Sequence, residues 1–268
     1  MLYGKQAKRS FLRFKPALDV EMLITEFQSI PGNSWASTYW GHIHSSVGML
    51  LLRGGSGGNE SDFTCETVQD HALLDSLPYI RQLISAEGPF GEAKYAFIFR
   101  MIPNGVTKIH KDLNPAWEDM FRIHAPIITN DDAVLISDDR MVHFFPGHAW
   151  TFNNNAMHGV VNGSSERAHL IFYVPMNGRL EEQIEHADFI EGWQDEAKLA
   201  IIQDKSKHTV PSFPGDNAMI ETIRTLKSYG WNLEKIAAFL NDKGIPAKTY
   251  EARWSPEAIC RLIPLIAI

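Results

Sequence analysis

The amino-acid sequence predicts an α+β protein with a β-rich centre, preceded by a mixed α/β segment and followed by helices. Two observations lead to this fold class. Residues 95–175 contain short runs of β-forming residues, separated by turn signals such as Pro103-Asn104-Gly105. Closely spaced short strands of this kind are typical of a sandwich or barrel, in the jelly-roll manner. Residues 176–268 instead show apolar residues at helical spacing.

The strands are predicted from runs rich in aliphatic and aromatic residues. One run lies before the central segment, between glycines, and six lie within it. They are Val47 to Arg53, Tyr95 to Ile102, Phe121 to Ile128, Ala133 to Ser137, Arg140 to Phe145, Ala149 to Phe152 and His169 to Val174.

Helices are predicted on both sides of the β-rich centre. Asp19 to Ile30 places Val20, Leu23, Ile24 and Phe27 on one face, and Pro31 ends the pattern. The acidic stretch 179–205 is predicted to be helical, and 206–215 contains two prolines and is predicted to be a linker. Three helices follow, with Asn232 and Ser255 as N-caps of the second and third. The predicted division is therefore 1–178, 179–215 and 216–268.

Composition excludes several classes of protein. The 268 residues include 25 Lys+Arg and 32 Asp+Glu, a net charge of −7, and 44% are hydrophobic. These values are ordinary for a globular protein and argue against a disordered tail, a collagen or a coiled coil. Cys65 and Cys260 are too few for a disulfide framework, and no apolar stretch approaches the length of a membrane span. We expect a cytoplasmic protein without membrane association, whose basic N-terminus is a solvated arm.

A possible metal site begins at His110-Lys111-Asp112. Residues i and i+2 of a strand point the same way, so His110 and Asp112 can present a nitrogen and an oxygen to one point. His158, after a later turn-rich stretch, can complete a two-histidine, one-carboxylate face that suits non-heme Fe(II). The chain has 11 histidines, so one alone means little. His42-Ile43-His44 has the same spacing without a partner pattern, and we do not assign it to a site.

The residues around this motif form a long ordered series. It runs Arg100-Met-Ile-Pro-Asn-Gly, His110-Lys-Asp112, Arg122-Ile-His124-Ala-Pro-Ile, Phe145-Pro-Gly147-His-Ala-Trp150, His158, Asn162 and Arg167-Ala-His-Leu. Over roughly residues 17–175, the chain thereby resembles the aspartyl/asparaginyl β-hydroxylase-like family, which includes bacterial proline cis-hydroxylases. Some members of that family have no carboxylate at the position of Asp112. This chain has one, so the full triad is expected.

The resemblance implies a double-stranded β-helix with a cupin-like core, and Fe(II), 2-oxoglutarate and O2 as cofactor and co-substrates. It also implies the hydroxylation of an unactivated carbon, coupled to decarboxylation of 2-oxoglutarate to succinate. The motif assigns Arg167 to the distal carboxylate of 2-oxoglutarate, and Arg122 and His124 to co-substrate binding. Two plainer interpretations stay open: Arg167 as a solvated turn residue and His124 as a hydrogen-bonded core histidine.

Candidate substrate residues are less well defined. Arg100 can bind a substrate carboxylate or pair with an acidic residue, and the sequence does not separate the two. Trp117 is a candidate substrate platform, although tryptophans such as Trp117 and Trp150 are more often core residues. His143, His148 and His169 are interpreted as structural.

The expected substrate is a free amino acid or an amino-acid-derived small molecule. One alternative is an Asp, Asn or Pro residue within a peptide or protein. An alternative of another class is a metal- or ligand-binding cupin-like regulator that associates with DNA through its C-terminal helices.

Residues 216–263 resemble the helical module of serine-type recombinases. The resemblance depends on two stretches, Ile236-Ala-Ala-Phe-Leu-Asn-Asp-Lys-Gly-Ile-Pro and Arg253-Trp-Ser-Pro-Glu. From Asp216 to Ile268 there are seven bases and six acids, a net charge of 7 − 6 = +1. A DNA-binding surface usually carries a clear basic stripe. Nucleic-acid binding is therefore disfavoured, and these helices are expected to shape the pocket mouth or a homodimer contact.

Overall fold

The computed structural model describes residues 11–37, 46–55, 68–112, 120–154, 156–203, 223, 226–227, 231–242 and 254–259. The strands are β1 Phe11–Ala17, β2 Ala36–Ser37, β3 Val47–Gly54, β4 Gln69–Asp70, β5 Tyr95–Met101, β6 Val106–His110, β7 Met120–Ile128, β8 Val134–Ser137, β9 Arg140–Val142, β10 His148–Thr151, β11 His158–Val161, β12 Arg167–Pro175 and β13 Asp188–Ile190. The α-helices are α1 Val20–Ser29, α2 Pro78–Leu83, α3 Gly178–His186, α4 Glu196–Gln203 and α5 Leu233–Asp242.

Within these residues the strands form two antiparallel sheets. The larger has nine strands, eight of them in the order β13-β1-β10-β7-β12-β5-β3-β2, with β4 paired to β3. The smaller has four strands in the order β6-β11-β8-β9. Strands distant in sequence are neighbours in both sheets, as in jelly-roll folds. The predicted α+β class with a jelly-roll core is confirmed.

Successive side chains of β12 point to opposite faces of the larger sheet. Leu170, Phe172 and Val174 join the core cluster that also contains residues of α1, α2 and α3. Ile171 and Tyr173 point the other way and belong to a second cluster on the opposite face. Both faces are buried, and the second one carries the polar residues of the candidate site.

The basic N-terminal segment is not the predicted solvated arm over its described part. β1 pairs with β10 and β13, and Phe11 and Phe14 are buried. Arg13 and Lys15 alternate with the buried Leu12 and Phe14: Arg13 pairs with Asp188 at 2.8 Å, and Lys15 pairs with the same carboxylate. The prediction was wrong because the charged positions hid the period-2 pattern of a half-buried strand. Residues 1–10 lie outside the described residues.

The helix predicted over 179–205 is interrupted. α3 ends at His186, β13 then pairs with β1 at the sheet edge, and α4 follows. Asp188, at the start of β13, accepts hydrogen bonds from both β1 cations, which favours the extended strand. α4 places Leu199 and Ile202 against residues of the smaller sheet. The predicted division into three segments stays a prediction.

The described part of the C-terminal segment has its own apolar cluster. Ile236 and Leu240 of α5 pack with Ile223, Trp254 and Ile259. The predicted caps are confirmed: Asn232 Oδ1 accepts from the Lys235 N–H at 2.9 Å, and Ser255 Oγ accepts from the Ala258 N–H at 3.1 Å. Most of the helix predicted over 216–229 lies outside the described residues.

Over the part of the chain that the structure describes, no helix is both long and apolar enough to cross a membrane.

Candidate active site

Two histidines face each other across the smaller sheet. His110 is the last residue of β6, His158 is the first residue of β11, and the two are direct partners in the antiparallel pair. Their ring centroids lie 4.2 Å apart. The register is irregular between His158 and Val160, and a Cβ on Gly159 would lie 2.7 Å from the Thr107 carbonyl oxygen. A glycine therefore permits the close approach of β11 to β6 at this point.

Asp112 completes the cluster two residues after His110. Its Oδ1 lies 3.6 Å from His110 Nε2, and its Oδ2 lies 3.6 Å from His158 Nε2. The three potential ligand atoms all lie within 4.8 Å of one another. The structure therefore brings together the three residues that the sequence proposes as metal ligands.

Backbone carbonyls orient both imidazoles. Nδ1 of His110 lies 2.7 Å from the Lys108 carbonyl oxygen, and Nδ1 of His158 lies 3.0 Å from that of Ala156. A carbonyl only accepts, so Nδ1 carries the proton and Nε2, on the Asp112 side, presents its lone pair. This is the usual arrangement of metal-binding histidines.

The electrostatics of the cluster favour the protonation states in which its three side chains can bind a metal. Burial lowers the pKa of His158 to about 4, and burial also lowers the pKa of His110. Burial alone would raise the pKa of Asp112, but the Arg122 guanidinium and the two imidazoles outweigh it and hold that pKa below its ordinary value. At neutral pH both histidines are neutral and Asp112 is a carboxylate, the forms that bind metals.

Arg122 contacts the triad carboxylate from β7. Its Nη1 lies 2.6 Å from Asp112 Oδ2, and its Nε donates to the Tyr173 hydroxyl at 2.5 Å. Burial opposes the charge on Arg122, but the Asp112 carboxylate raises the pKa of the guanidinium above its ordinary value. Arg122 is thus placed at the predicted site, where it touches a triad residue.

Arg167, at the start of β12, lines a cavity together with the triad residues and Arg122, and it is 8% exposed. It is not the solvated turn residue of the plainer interpretation. Burial lowers the pKa of Arg167 to about 10, so the guanidinium stays charged at neutral pH. Among the described residues it makes no ion pair, and its Nη2 lies 3.2 Å from Nδ1 of the fully buried His169. A buried cation with only a neutral partner is a suitable anchor for an anionic ligand.

His124 shares the inner face of β7 with Arg122. It is buried, and neither ring nitrogen has a hydrogen-bond partner within the described part of the chain. Burial, together with Arg122 and Arg167, holds the pKa of His124 well below its ordinary value. The interpretation as a hydrogen-bonded core histidine does not hold for the described residues, and a polar ligand in the cavity would satisfy the ring.

One cavity between the two sheets connects these residues. Its polar lining comes from the triad, both arginines, His124 and Thr107, and apolar side chains form the rest. The lining residues are Val47, Phe99, Met101, Thr107, His110, Asp112, Arg122, His124, Leu135, Phe152, His158, Val160, Arg167 and Ile171.

The two candidate substrate residues fare differently. Arg100 pairs with Glu166, lies 5.5 Å from the Trp35 ring and does not line this cavity. Of its two predicted roles, the structure therefore has the ion pair. Trp117 lies outside the described residues.

Sequence reasoning misses His169 and Tyr173, which contact the two arginines. The i, i+2 rule was the available signal, because positions 167, 169, 171 and 173 share one face of β12. An aromatic or histidine within a buried strand is otherwise indistinguishable from an ordinary core residue.

The residues present fit the group that the sequence resemblance implies. Two neutral imidazole nitrogens and one carboxylate are a donor set for Fe(II). Arg167 and the two unpartnered nitrogens of His124 supply polar groups for a ligand with two carboxylates, such as 2-oxoglutarate. Asp112 can use one oxygen for a metal while the other accepts from Arg122.

Comparison with known proteins supports the sequence interpretation. Residues 52–176 match the family model described as aspartyl/asparaginyl beta-hydroxylase. The predicted resemblance is thereby confirmed over this span, which falls almost wholly within the roughly 17–175 expected from the motifs. No curated protein sequence matches the chain.

Several solved structures are similar in part. An oxidoreductase of the 2OG-Fe(II) oxygenase family from Burkholderia pseudomallei is 17% identical, with a TM-score of 0.42 over 59% of this chain and 79% of that one. A prolyl hydroxylase from Trichoplax adhaerens, in complex with a hypoxia inducible factor peptide fragment, is 12% identical, with a TM-score of 0.37 over 62% and 84%. The collagen prolyl hydroxylase vCPH from Paramecium Bursaria Chlorella virus-1 is 9% identical, with a TM-score of 0.35 over 61% and 94%.

Proposed function

Since residues 52–176 match the aspartyl/asparaginyl β-hydroxylase family, we propose that the chain is an Fe(II)- and 2-oxoglutarate-dependent dioxygenase that hydroxylates an unactivated carbon. The observation that carries the proposal is the convergence of His110, Asp112 and His158, with ligand atoms within 4.8 Å of one another. These three residues would hold Fe(II), which would supply the oxidising chemistry together with the co-substrate and O2.

The side chains around the cavity would hold and orient the metal and the co-substrate. His110 and His158 would bind the metal through Nε2, because their Nδ1 atoms face backbone carbonyls. Arg167 binds the distal carboxylate of 2-oxoglutarate through its planar fork. His124, buried and with neither ring nitrogen hydrogen-bonded among the described residues, would hydrogen-bond the co-substrate. Phe152, Leu135 and Val160 exclude water from the reacting atoms.

We propose further that the substrate is a free amino acid or a small molecule derived from one. The enclosure of the site supports it, since the side chains of Asp112 and His158 are 10% and 5% exposed. A small molecule enters such a cavity more readily than a side chain on a folded protein does. A residue within a flexible peptide is the competing substrate, and the assay below separates the two.

The metal site is tested by isothermal titration of metal-free protein with Fe(II) under anaerobic conditions. We expect one equivalent to bind and His158→Ala to remove that binding. The matched control is His148→Ala, since His148 is half-buried and its Nδ1 faces the Phe14 carbonyl, away from the cavity lining. If His158→Ala protein bound Fe(II) as tightly as the unaltered protein, the assignment would be wrong.

Activity is tested by succinate release with Fe(II), 2-oxoglutarate and two panels, one of free amino acids and one of short peptides. Stimulation by an amino acid, with a product 16 mass units heavier (one oxygen atom), is the expected result. Stimulation by peptides alone would overturn the substrate class but leave the reaction type. No release under any condition, despite bound Fe(II), would favour a ligand-binding regulator.

A further inference from the structure

Tyr173 contacts Arg122 at Nε, whereas the triad carboxylate contacts Arg122 at Nη1. Resting on the proposed function, we propose that Tyr173 is a positioning residue for the metal site, which acts through Arg122 to fix the orientation of Asp112. The juxtaposition that carries the inference is a chain of two hydrogen-bonded contacts: Tyr173 hydroxyl to Arg122 Nε, then Arg122 Nη1 to Asp112 Oδ2.

The backbone fixes the first contact. Tyr173 of β12 and Arg122 of β7 are direct partners in the antiparallel ladder. Side chains of such partners point to the same face and touch. The Arg122 Cζ also lies 5.0 Å from the centroid of the Tyr173 ring, so the ring packs beside the guanidinium that its hydroxyl holds.

Two fixed contacts determine the plane of the guanidinium. Nε is held at 2.5 Å by Tyr173, and Nη1 reaches Asp112 at 2.6 Å. Because the guanidinium is rigid and planar, anchoring Nε restricts where Nη1 can go. The Oδ2 of Asp112 follows Nη1, and its Oδ1 is thereby turned toward His110 Nε2.

The surroundings of Tyr173 are apolar, so burying its hydroxyl there costs free energy unless the hydroxyl is hydrogen-bonded. Tyr173 is 0% exposed and belongs to a cluster with Met49, Phe97 and Ile171. Phenylalanine would fill nearly the same volume without desolvating a polar group. A tyrosine here is explained by the partner that it holds, which is an arginine bound to a metal ligand.

The test is a double-mutant cycle on the metal-free full chain, with Co(II) as the probe. Co(II) dissociation constants are measured by isothermal titration, and the visible spectrum of bound Co(II) reports the ligand geometry. The variants are Tyr173→Phe, Arg122→Lys and the double variant. Arg122→Lys keeps a cation near Asp112 but removes the Nε donor. Tyr95→Phe is the control, since Tyr95 is equally buried and pairs with Tyr173 across β5 and β12.

We expect Tyr173→Phe to weaken Co(II) binding about 10-fold, as for other groups behind metal ligands. We also expect it to alter the Co(II) spectrum, and to add no further loss in the Arg122→Lys background. Tyr95→Phe should leave both readouts unchanged. An unchanged Kd and spectrum in Tyr173→Phe would overturn the inference, as would an equal loss in both backgrounds. If the unaltered chain does not bind Co(II), the proposed function itself fails, and the inference with it.

Discussion

His110 and His158 are direct partners across β6 and β11, and the residue next to His158 is the glycine that lets the two strands meet. The distance between the two imidazoles is therefore set by backbone packing as well as by the side chains. This relationship leads to a prediction outside the triad itself.

Gly159→Ala should weaken metal binding without removing any ligand. The added Cβ would lie 2.7 Å from the Thr107 carbonyl oxygen, so β11 must move away from β6 and carry His158 with it. We expect an Fe(II) Kd raised about 10-fold or more, since small displacements of supporting groups have effects of this size. Anaerobic titration measures it. Gly178→Ala is the control, because a Cβ there meets nothing within 4 Å. Equal affinities for the two variants would contradict the packing argument.

Arg167→Ala should impair the use of 2-oxoglutarate. Loss of one buried charge-assisted pair costs ~2–5 kcal/mol, which corresponds to about 30-fold or more in the KM for 2-oxoglutarate. Arg167→Lys should not fully restore it, because lysine lacks the planar fork. Succinate release at varied 2-oxoglutarate measures the effect, with Arg140→Ala as the control, since Arg140 pairs with the exposed Glu191. An unchanged KM in Arg167→Ala would remove this residue from the co-substrate site.

His169→Ala should raise the KM for 2-oxoglutarate and leave the Fe(II) Kd unchanged. Nδ1 of His169 is the acceptor for Arg167 Nη2, and its loss leaves a buried donor unpaired. Such a group costs about 1–3 kcal/mol, so the free energy of unfolding should fall by a similar amount. Urea unfolding measures that fall, and saturating 2-oxoglutarate should recover part of it. A parallel loss of Fe(II) affinity would show that His169 does not act through Arg167 alone.

Asp70→Asn should destabilise the protein at neutral pH and not in strong acid. The hydrogen bond from Arg53 holds the pKa of Asp70 below its ordinary value. A lowered pKa contributes stability above the pKa of the unfolded chain, about 3.9, and that stability is lost as pH falls through the folded value. Urea unfolding at neutral pH and at a pH below the folded pKa of Asp70 tests this. Asp75→Asn, in a more exposed pair with Arg81, should change little at either pH. A difference between Asp70→Asn and the unaltered chain that persists in acid would count against the ion pair as its cause.

The C-terminal helices should not bind DNA specifically. The segment Asp216 to Ile268 has a net charge of +1, because six acids lie among its seven bases. A surface that neutralises about six phosphates would need six well-placed cations without neighbouring acids. We expect no affinity better than ~10 μM at physiological salt. Deleting 216–268 should lower solubility and turnover, because these helices are expected to shape the pocket mouth or a homodimer contact. A gel-shift titration of the full chain with sub-micromolar, sequence-selective binding would overturn the first expectation, and a soluble, fully active truncation the second.

The metal triad could be proposed from the sequence because its logic is local. His110 and Asp112 are two residues apart at a strand end, and His158 completes a recognisable order of motifs. Arg167 followed from the same order. Tyr173 could not be found in this way, because its role depends on which strands become neighbours. Only the β7–β12 pairing puts Tyr173 opposite Arg122. His169 lies two residues after Arg167 on the same strand, so the i, i+2 rule was a local signal for it.

The sequence also led to a wrong prediction at β1, where charged residues concealed the alternation of buried and exposed positions. Arg13 and Lys15 suggested a solvated arm, but their counter-ion Asp188 is 173 to 175 residues away. No local pattern reveals such a partner. The same ion pairs explain why a strand interrupts the helix predicted over 179–205. In both cases tertiary contacts outweighed local propensity.

The alternation along β12 makes this strand vulnerable to insertions and deletions in a way that substitutions do not reveal. Arg167, His169, Ile171 and Tyr173 reach the cavity side only because each is two residues from the next. Removing one residue from the start of the strand would turn Arg167 toward the helices while an alanine took its place. Co-substrate binding would then be lost although all three metal ligands remained. In natural variation of this chain, length changes in β12 should therefore be rarer than substitutions at its helix-facing positions.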